Sequence, residues 1–510
     1  MFSSVLSATI CGIESHLVYV EADVSDGLPM FSMVGYLNSQ VREAGERVKT
    51  AMRNSQMKLS PKKITVNLSP ADLRKEGAGF DLPIAIAVLA AYGHIPAAAL
   101  TEVMIIGELS LSGEVNGVRG ILPIVRHAAQ HKCKICIVPK ANEREGAMAA
   151  SIQVVGVKNL KEAFDFLTGR AKPEAPVIDI EEILNEGTYG LKEDFKDING
   201  QVAAKRATEV AVAGMHNLLL IGPPGSGKSM IAKRIPGILP KLSLEENLEI
   251  SAIYSVAGLL NEGIPLLSKR PFRAPHHTIS PQALAGGGRI PRPGEVSLAH
   301  RGVLFLDEMP EFHKTTLEIL RQPLEERKIH IARASGNYEF PTSFMLVAAM
   351  NPCKCGHYPD MNKCSCSVRE VQQYLRKISQ PLLDRIDISV EAPLVEYREL
   401  VAVRENETSE TIRERVAAAH EIQQKRYQNT PFYFNSDLNV EGIKKYCTMG
   451  KAEQRLLKEA FGKLHLSTRA YYRIIKVART IADLEKSDSI QCDHVGEAIC
   501  YRAIDRKFWT

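Results

Sequence analysis

The sequence predicts an α/β chain whose centre is a nucleotide-binding core on a parallel sheet, with an α+β domain before it and a helical lid after it. Three observations carry that prediction. Residues 222–229 read GPPGSGKS, two glycines spaced as in a phosphate loop and followed by Lys and Ser. Asn217 to Ile221 (NLLLI) before them is an apolar run suited to a buried parallel strand, and Met230 to Lys233 after them can open a helix. Beyond about residue 405 apolar residues recur at helical spacing, as in Ile412 to Tyr427, Gly450 to Phe461, Thr468 to Leu484 and His494 to Arg506.

At 510 residues the chain exceeds what one hydrophobic core serves, so about three domains are expected. The divisions read from the sequence are a domain at 1–170, a linker at 171–187 with two prolines and an acidic run, a core at 188–400 and the lid at 401–510. A net charge of +5 permits a polyanionic partner without demanding one, so any nucleic-acid surface must be local. The longest apolar run, Leu82 to Tyr92, is about half of the ~20 residues that span a bilayer, and the first residues lack a basic leader region. A cytoplasmic protein without a membrane partner is expected. Ten cysteines in such a chain argue against a disulfide framework.

The loop residues Gly222, Pro223, Pro224, Gly225, Ser226, Gly227, Lys228 and Ser229 supply what phosphate binding needs. Glycines let successive N–H groups turn toward the β- and γ-phosphates of ATP, Lys228 adds a positive charge, and the Ser229 hydroxyl can ligate Mg²⁺. Gly302 to Glu308 (GVLFLDE) reads as a buried strand delivering two acids at its C-terminal edge. Asp307 would help hold Mg²⁺, and Glu308 would orient and deprotonate the attacking water. A further apolar strand, Phe344 to Ala349, runs into Asn351, which resembles the sensor-1 position of AAA+ ATPases. Arg385 in LLDRID stands where AAA+ rings present an arginine finger to a neighbour, and Arg469 in STR matches the sensor-2 pattern. Arg469, Arg473, Lys476 and Arg479 recur at helical spacing and would make one cationic face.

The first domain mixes strand-like alternation (Ile64 to Leu68, Val103 to Ile106, Ile135 to Val138) with helical patterns (Val41 to Met52, Leu82 to Tyr92, Ile121 to Gln130). Lys75 to Leu89 and Gly107 to Asn142 resemble the proteolytic domain of Lon-type proteases, whose fold is related to ribosomal protein S5. The Ser–Lys pair of that chemistry is missing: Gly79 or its neighbours stand where the Ser belongs and Leu122 where the Lys belongs. The expectation is a protease-like fold used for assembly or substrate holding, with Arg74, Lys75 and Arg119 as surface charges able to touch a phosphate backbone.

Two further stretches bear on what the core acts on. Lys269 to Arg301 is rich in Arg, His, Pro and Gly, including Arg270, Arg273, His276, His277, Arg289 and Arg292, as in a mobile cationic insert. Lys328 to Arg333 and Tyr338 to Phe340 flank a turn signal and read as a hairpin, on which Lys328, His330 and Arg333 could grip phosphates and Tyr338 stack on a base. Cys353, Cys355, Cys364 and Cys366 form C-x-C-x8-C-x-C, four thiolates suited to one closed tetrahedral Zn²⁺, with His357 as an alternative ligand.

The order GPPGSGKS, PFRAPHHTIS, GVLFLDEMPEF, VAAMNPC, LLDRID and STRAYYRIIKVARTIADL resembles magnesium-chelatase-like AAA+ proteins. Together with the Lon-like segment it is similar to the ComM/YifB family. The resemblance implies a homohexamer with ATP between subunits, Arg385 acting in trans, and the adenine held near Asp197 to Gln201 and His216. It also implies a motor on single-stranded or branched DNA that drives branch migration or unwinding during recombination in bacterial transformation, with other recombination proteins as possible partners. A chelatase-like or chaperone-type remodelling ATPase, or a nucleotide-gated scaffold, would share the core.

Overall fold

A computed structural model describes residues 1–57, 59–149, 151–172, 193–260, 266–267, 269–289, 291–333, 336–395, 397 and 406–509. Most of the expected linker at 171–187 lies outside the described residues.

The first sheet starts with a long antiparallel hairpin, β1 (Phe2–Cys11) and β2 (Glu14–Ser25). Val18, Val20, Ala22 and Val24 alternate inward along β2, the period-2 pattern of a strand with one covered face. With β3 (Met30–Val34), β4 (Lys63–Ser69), β5 (Val103–Ile105), β8 (Ile135–Pro139) and β9 (Gln153–Val157), β1 and β2 form a seven-stranded sheet in the order β3-β4-β2-β1-β5-β8-β9, beside a separate short ribbon of β6 (Glu108–Leu109) and β7 (Val115–Asn116). The helix Asp81–Ala91 (DLPIAIAVLAA) is buried at every position because it packs on β1 and β2 and against the helix Ser39–Asn54. Its one charge, Asp81, is pushed upward in pKa by burial. It is met by Arg47 Nε and Nη2, each at 2.9 Å, and by the Leu109 N–H.

The core sheet takes β10 (Leu218–Ile221), β11 (Phe272–Arg273), β14 (Val303–Leu306), β17 (Met345–Met350) and β18 (Ile388–Glu391), all parallel, in the order β11-β14-β17-β10-β18. Between them β12 (Gly286–Gly287) pairs with β13 (Arg292–Pro293), and β15 (Lys328–Arg333) with β16 (Gly336–Pro341), as two antiparallel hairpins. Leu218, Leu220, Phe305 and Val347 join one apolar cluster, and Leu219, Ile221, Leu306 and Leu346 another on the opposite face. Burial on both faces is why these strands read as continuous apolar runs. The helices Ser409–Arg426, Lys451–Lys463, Thr468–Leu484 and Cys492–Trp509 follow. The mixed α/β architecture with its parallel sheet and helical C-terminal region agrees with the fold class read from the sequence. No described helix is long and apolar enough to cross a membrane.

The first domain docks on the core. Glu145 accepts from the Leu122 N–H at 3.0 Å and from the Ser255 hydroxyl, and Leu122 and Met148 bury against Ala252 on the helix Leu244–Ala257. The β1–β2 turn meets β16: Cys11 and Ile13 pack on the cluster that holds Tyr338 and Phe340.

Candidate functional site

The phosphate loop leaves the C-terminal end of β10 between β17 and β18, the crevice where open parallel sheets bind ligands. Gly225 and Gly227 hold φ of +78° and +87°, left-handed values that a side chain would strain. Gly222 passes so close to β18's exit that a Cβ would sit 2.1 Å from the Ala392 carbonyl oxygen. Lys228 opens the helix Lys228–Ile238, and its Nζ donates to the carbonyls of Gly222 and Pro223, both at 2.8 Å, and to Asn351 Oδ1 at 3.2 Å. Burial lowers its pKa, opposed by Asp307 and Glu308. Ser229 Oγ donates to Asp307 Oδ2 at 2.7 Å, so the two expected Mg²⁺ residues already face one another. Glu308 follows in a left-handed conformation with φ of +50°, at the exposed edge of the loop. Gln201 reaches this site too, donating to the carbonyls of Ser226 at 2.9 Å and Pro393 at 2.5 Å, while its buried Oε1 has no partner among the described residues.

His216 does not belong here. Its ring is buried at the other end of β10, with Nε2 2.8 Å from Thr480 Oγ1 and Nδ1 facing Asp387, so the expected adenine contact is corrected to a structural one.

That other end holds the arginines. Asn217, just before β10, donates from Nδ2 to the Arg385 carbonyl at 2.7 Å, and its N–H donates to Asp387 at 2.9 Å. Arg385 is therefore separated from its own phosphate loop by the length of the strand, about 16 Å at about 3.3 Å per residue. Its guanidinium is nearly buried, donating to the carbonyls of Arg321 at 3.1 Å and Pro381 at 2.6 Å and pairing with Glu325. Arg469 lies at the same end, with Nη2 3.5 Å from Glu325 Oε1, because Arg473 ties its helix to Asp387 at 3.1 Å. Arg473, among other charges and hydrogen bonds, holds the buried Asp387 carboxyl well below the usual range against the desolvation that would raise it. Lys228, Asn351 and Glu308 thus share one end of the sheet, and Arg385 and Arg469 share the opposite end. The expected cationic face does not form: Arg473 is spent on Asp387, Lys476 on the Ser436 carbonyl, and Arg479 on Asp483 and the carbonyls of Ser487 and Asp488.

The two hairpins lie edge to edge, with Arg333 Nε 3.4 Å from the Gly288 carbonyl and Gly286 close to Ile331. Arg289 and Arg333 are exposed on adjacent ends, Lys328 pairs with Glu339 at 3.1 Å, and His330 lies between Glu326 and Glu339. Tyr338 corrects the sequence reading: it pairs across with Ile331, both point inward, and a ring 8% exposed cannot stack on a base. Arg270 and Arg273 are likewise tied to partners. Arg270 is buried on Glu246 and the Pro240 carbonyl, and Arg273 pairs with Glu295 at 2.7 Å. In the first domain Lys75 is buried with its Nζ on the Pro70 carbonyl, whereas Arg74 pairs with Glu76 and Arg119 lies over Gly258.

The Sγ atoms of Cys353, Cys355, Cys364 and Cys366 all lie within 4.8 Å of one another, and 353–355, 353–364 and 355–364 are 3.3, 3.8 and 3.5 Å apart. Four thiolates about 2.3 Å from one Zn²⁺ would stand roughly 3.8 Å apart, so the cluster is compatible with a structural zinc. His357 is not part of it.

Comparison with known families places these features. Residues 194–400 match the family profile described as magnesium chelatase, subunit ChlI, residues 406–502 its C-terminal profile, and residues 20–142 a profile described as subunit ChlI of Mg-chelatase. The competence protein ComM of Haemophilus influenzae is 43% identical over 506 residues, covering 98% of this chain and 97% of its own. The uncharacterized protein YifB of Escherichia coli is 44% identical over 497 residues, covering 97% and 96%. The chain belongs to the ComM/YifB family. A Lon protease 2 of Bacillus subtilis is 32% identical over 151 residues, 28% of this chain and 26% of its own, a likeness confined to one segment.

A magnesium-chelatase-type AAA+ core implies ATP and Mg²⁺, and the phosphate loop, Ser229 and Asp307 fit both. For this ComM/YifB family member the sequence does not point to Glu325 as the partner of Arg385, nor to Asp387 and Asn217 as the groups that fix that end of the sheet. Asp387 and Asn217 carried a faint signal, since polar residues directly bounding buried strands must find partners. Glu325, in LEER, reads as an ordinary helix end.

Proposed function

We propose that the chain is an ATP- and Mg²⁺-dependent motor that assembles as a hexamer and moves on DNA, driving branch migration or unwinding of recombination intermediates during uptake of DNA in transformation. The observation that carries the DNA assignment is the edge-to-edge placement of two hairpins exposing Arg289 and Arg333 on the chain that also holds the phosphate loop. The name of the Haemophilus relative supports the competence setting.

The ring reading rests on the opposed ends of the core sheet. One chain supplies Lys228, Asn351, Ser229, Asp307 and Glu308 to a nucleotide, and the next supplies Arg385 and Arg469. When bound, Mg²⁺ would be held by Ser229 and Asp307 and neutralise phosphate charge. Glu308 takes the proton of the attacking water, and Asn351, already on Lys228, aligns the γ-phosphate side. The unpartnered Gln201 Oε1 beside the loop suits a donor such as the adenine amine. The four cysteines would hold one Zn²⁺ that fixes the loop behind Asn351, which metal analysis of the purified chain tests.

ATP turnover and displacement of a labelled strand from forks and four-way junctions test the motor. DNA is expected to stimulate turnover, and Arg289→Ala with Arg333→Ala to remove that stimulation while basal turnover stays. Turnover indifferent to every DNA form would favour a chelatase-like remodelling ATPase or a nucleotide-gated scaffold.

A further inference from the structure

We propose that Glu325 is a carboxylate latch: in the separate chain it holds Arg385 and Arg469 on one acceptor, and the triphosphate of an adjoining chain displaces it when the ring forms. The inference rests on the ring reading above.

Glu325 meets both arginines with different oxygens, Oε2 on Arg385 and Oε1 on Arg469 Nη2 at 3.5 Å. Two guanidinium groups on a single carboxylate leave an excess positive charge, and a two-oxygen anion is the nearest protein equivalent of a phosphate edge. The partners differ in exposure. The Arg385 side chain is only 8% exposed, whereas Glu325 and Arg469 are 54% and 55% exposed. The carboxylate can therefore be withdrawn into solvent, and Arg385 must leave it to reach a phosphate. Room exists on that side: Arg385, Arg469 and Glu325 line a cleft of ≈ 1500 Å³ between the first domain, the core and the lid. What remains after displacement still orients Arg385, because the carbonyls of Arg321 and Pro381 accept from its other nitrogens.

The latch also has an outlet. Glu325 sits in the short helix Arg321–Glu326, and β15, one arm of the Arg333 hairpin, starts at Lys328. Displacing Glu325 therefore removes one tie on the segment that leads into the proposed DNA-gripping hairpin, while the Arg321 carbonyl and the Arg327–Asp437 pair keep it in place as a pivot. A nucleotide in one chain would be felt by the hairpin of the next through this carboxylate.

The test compares wild type, Glu325→Gln, Glu325→Ala and Arg385→Ala as full-length protein. Specific ATPase activity is measured against chain concentration at saturating ATP, with ring formation followed by light scattering. Without the latch, half-maximal activity is expected at about fivefold lower chain concentration, the factor for about 1 kcal/mol, and DNA-independent turnover rises. A midpoint unchanged or raised in both Glu325 variants, with Arg385→Ala inactive, overturns the latch and leaves the ring reading standing. Full turnover by Arg385→Ala instead overturns the ring reading itself.

Discussion

Gly356 of the cysteine loop lies directly against Pro224 of the phosphate loop: a Cβ at 356 would stand 2.3 Å from Pro224 Cδ, and the Gly356 backbone has a φ of +84°. Both the contact and the conformation exclude a side chain. Gly356→Ala is expected to push the phosphate loop out of register and weaken ATP binding about tenfold, the scale of a 1–2 kcal/mol strain. Metal content should stay at the wild-type value. ATP titration beside metal analysis decides it; unaltered affinity would show the contact to be incidental.

In the proposed mechanism Lys228 and Glu308 separate binding from chemistry. Lys228→Ala removes the charge that faces the phosphates and should abolish nucleotide binding. Glu308→Gln keeps shape but loses the base, so binding is retained while kcat falls by at least about 100-fold. A labelled nucleotide analogue measures the first and phosphate release the second.

Arg385→Ala alone should form rings that bind ATP without turning it over. Mixed with Glu308→Gln, it should regain activity, because an intact pocket on one chain then meets an intact arginine on the next. Mixtures no more active than their components would refute action across the seam.

His420 gives a pH signature. Its ring is buried beside Phe434, with Nε2 lacking a partner among the described residues; burial foremost, and then Arg270, hold its pKa down to about 3 from an ordinary 6.5. The unfolded chain therefore binds a proton between pH 6.5 and 3 that the folded chain refuses. Stability should fall as pH drops through that window, by up to about 1.4 kcal/mol per unit from this residue. Urea unfolding at several pH values should show a shallower dependence for His420→Leu; parallel curves would rule the residue out.

The sequence reading was strongest where chemistry or burial is local. The phosphate loop and GVLFLDE stand out because strand, loop and acids adjoin in the chain, and the core strands because both of their faces are covered. The β1–β2 hairpin went unread because FSSVLSATIC mixes small polar residues with apolar ones, and two of them, Ser7 and Thr9, are buried. The inward face of Tyr338 is legible in the pattern: Ile329 and Ile331 alternate with His330, and Phe340 repeats the parity of Tyr338, which puts the ring inside. Glu325 cannot be paired with Arg385 from spacing, since the two lie sixty positions apart with β15, β16 and β17 between them.

The docking built on Glu145 ties the first domain to any rearrangement of the core. Its carboxylate clasps the end of the helix Leu244–Ala257, while the β1–β2 turn leans on β16, so the same seven-stranded slab grips the core at two separate handholds. Any stroke that shifts one hairpin relative to that helix must tilt the slab or tear a handhold loose. In the motor proposed above, the Lon-like first domain would then serve as a lever arm, its tilt reporting each stroke of the core.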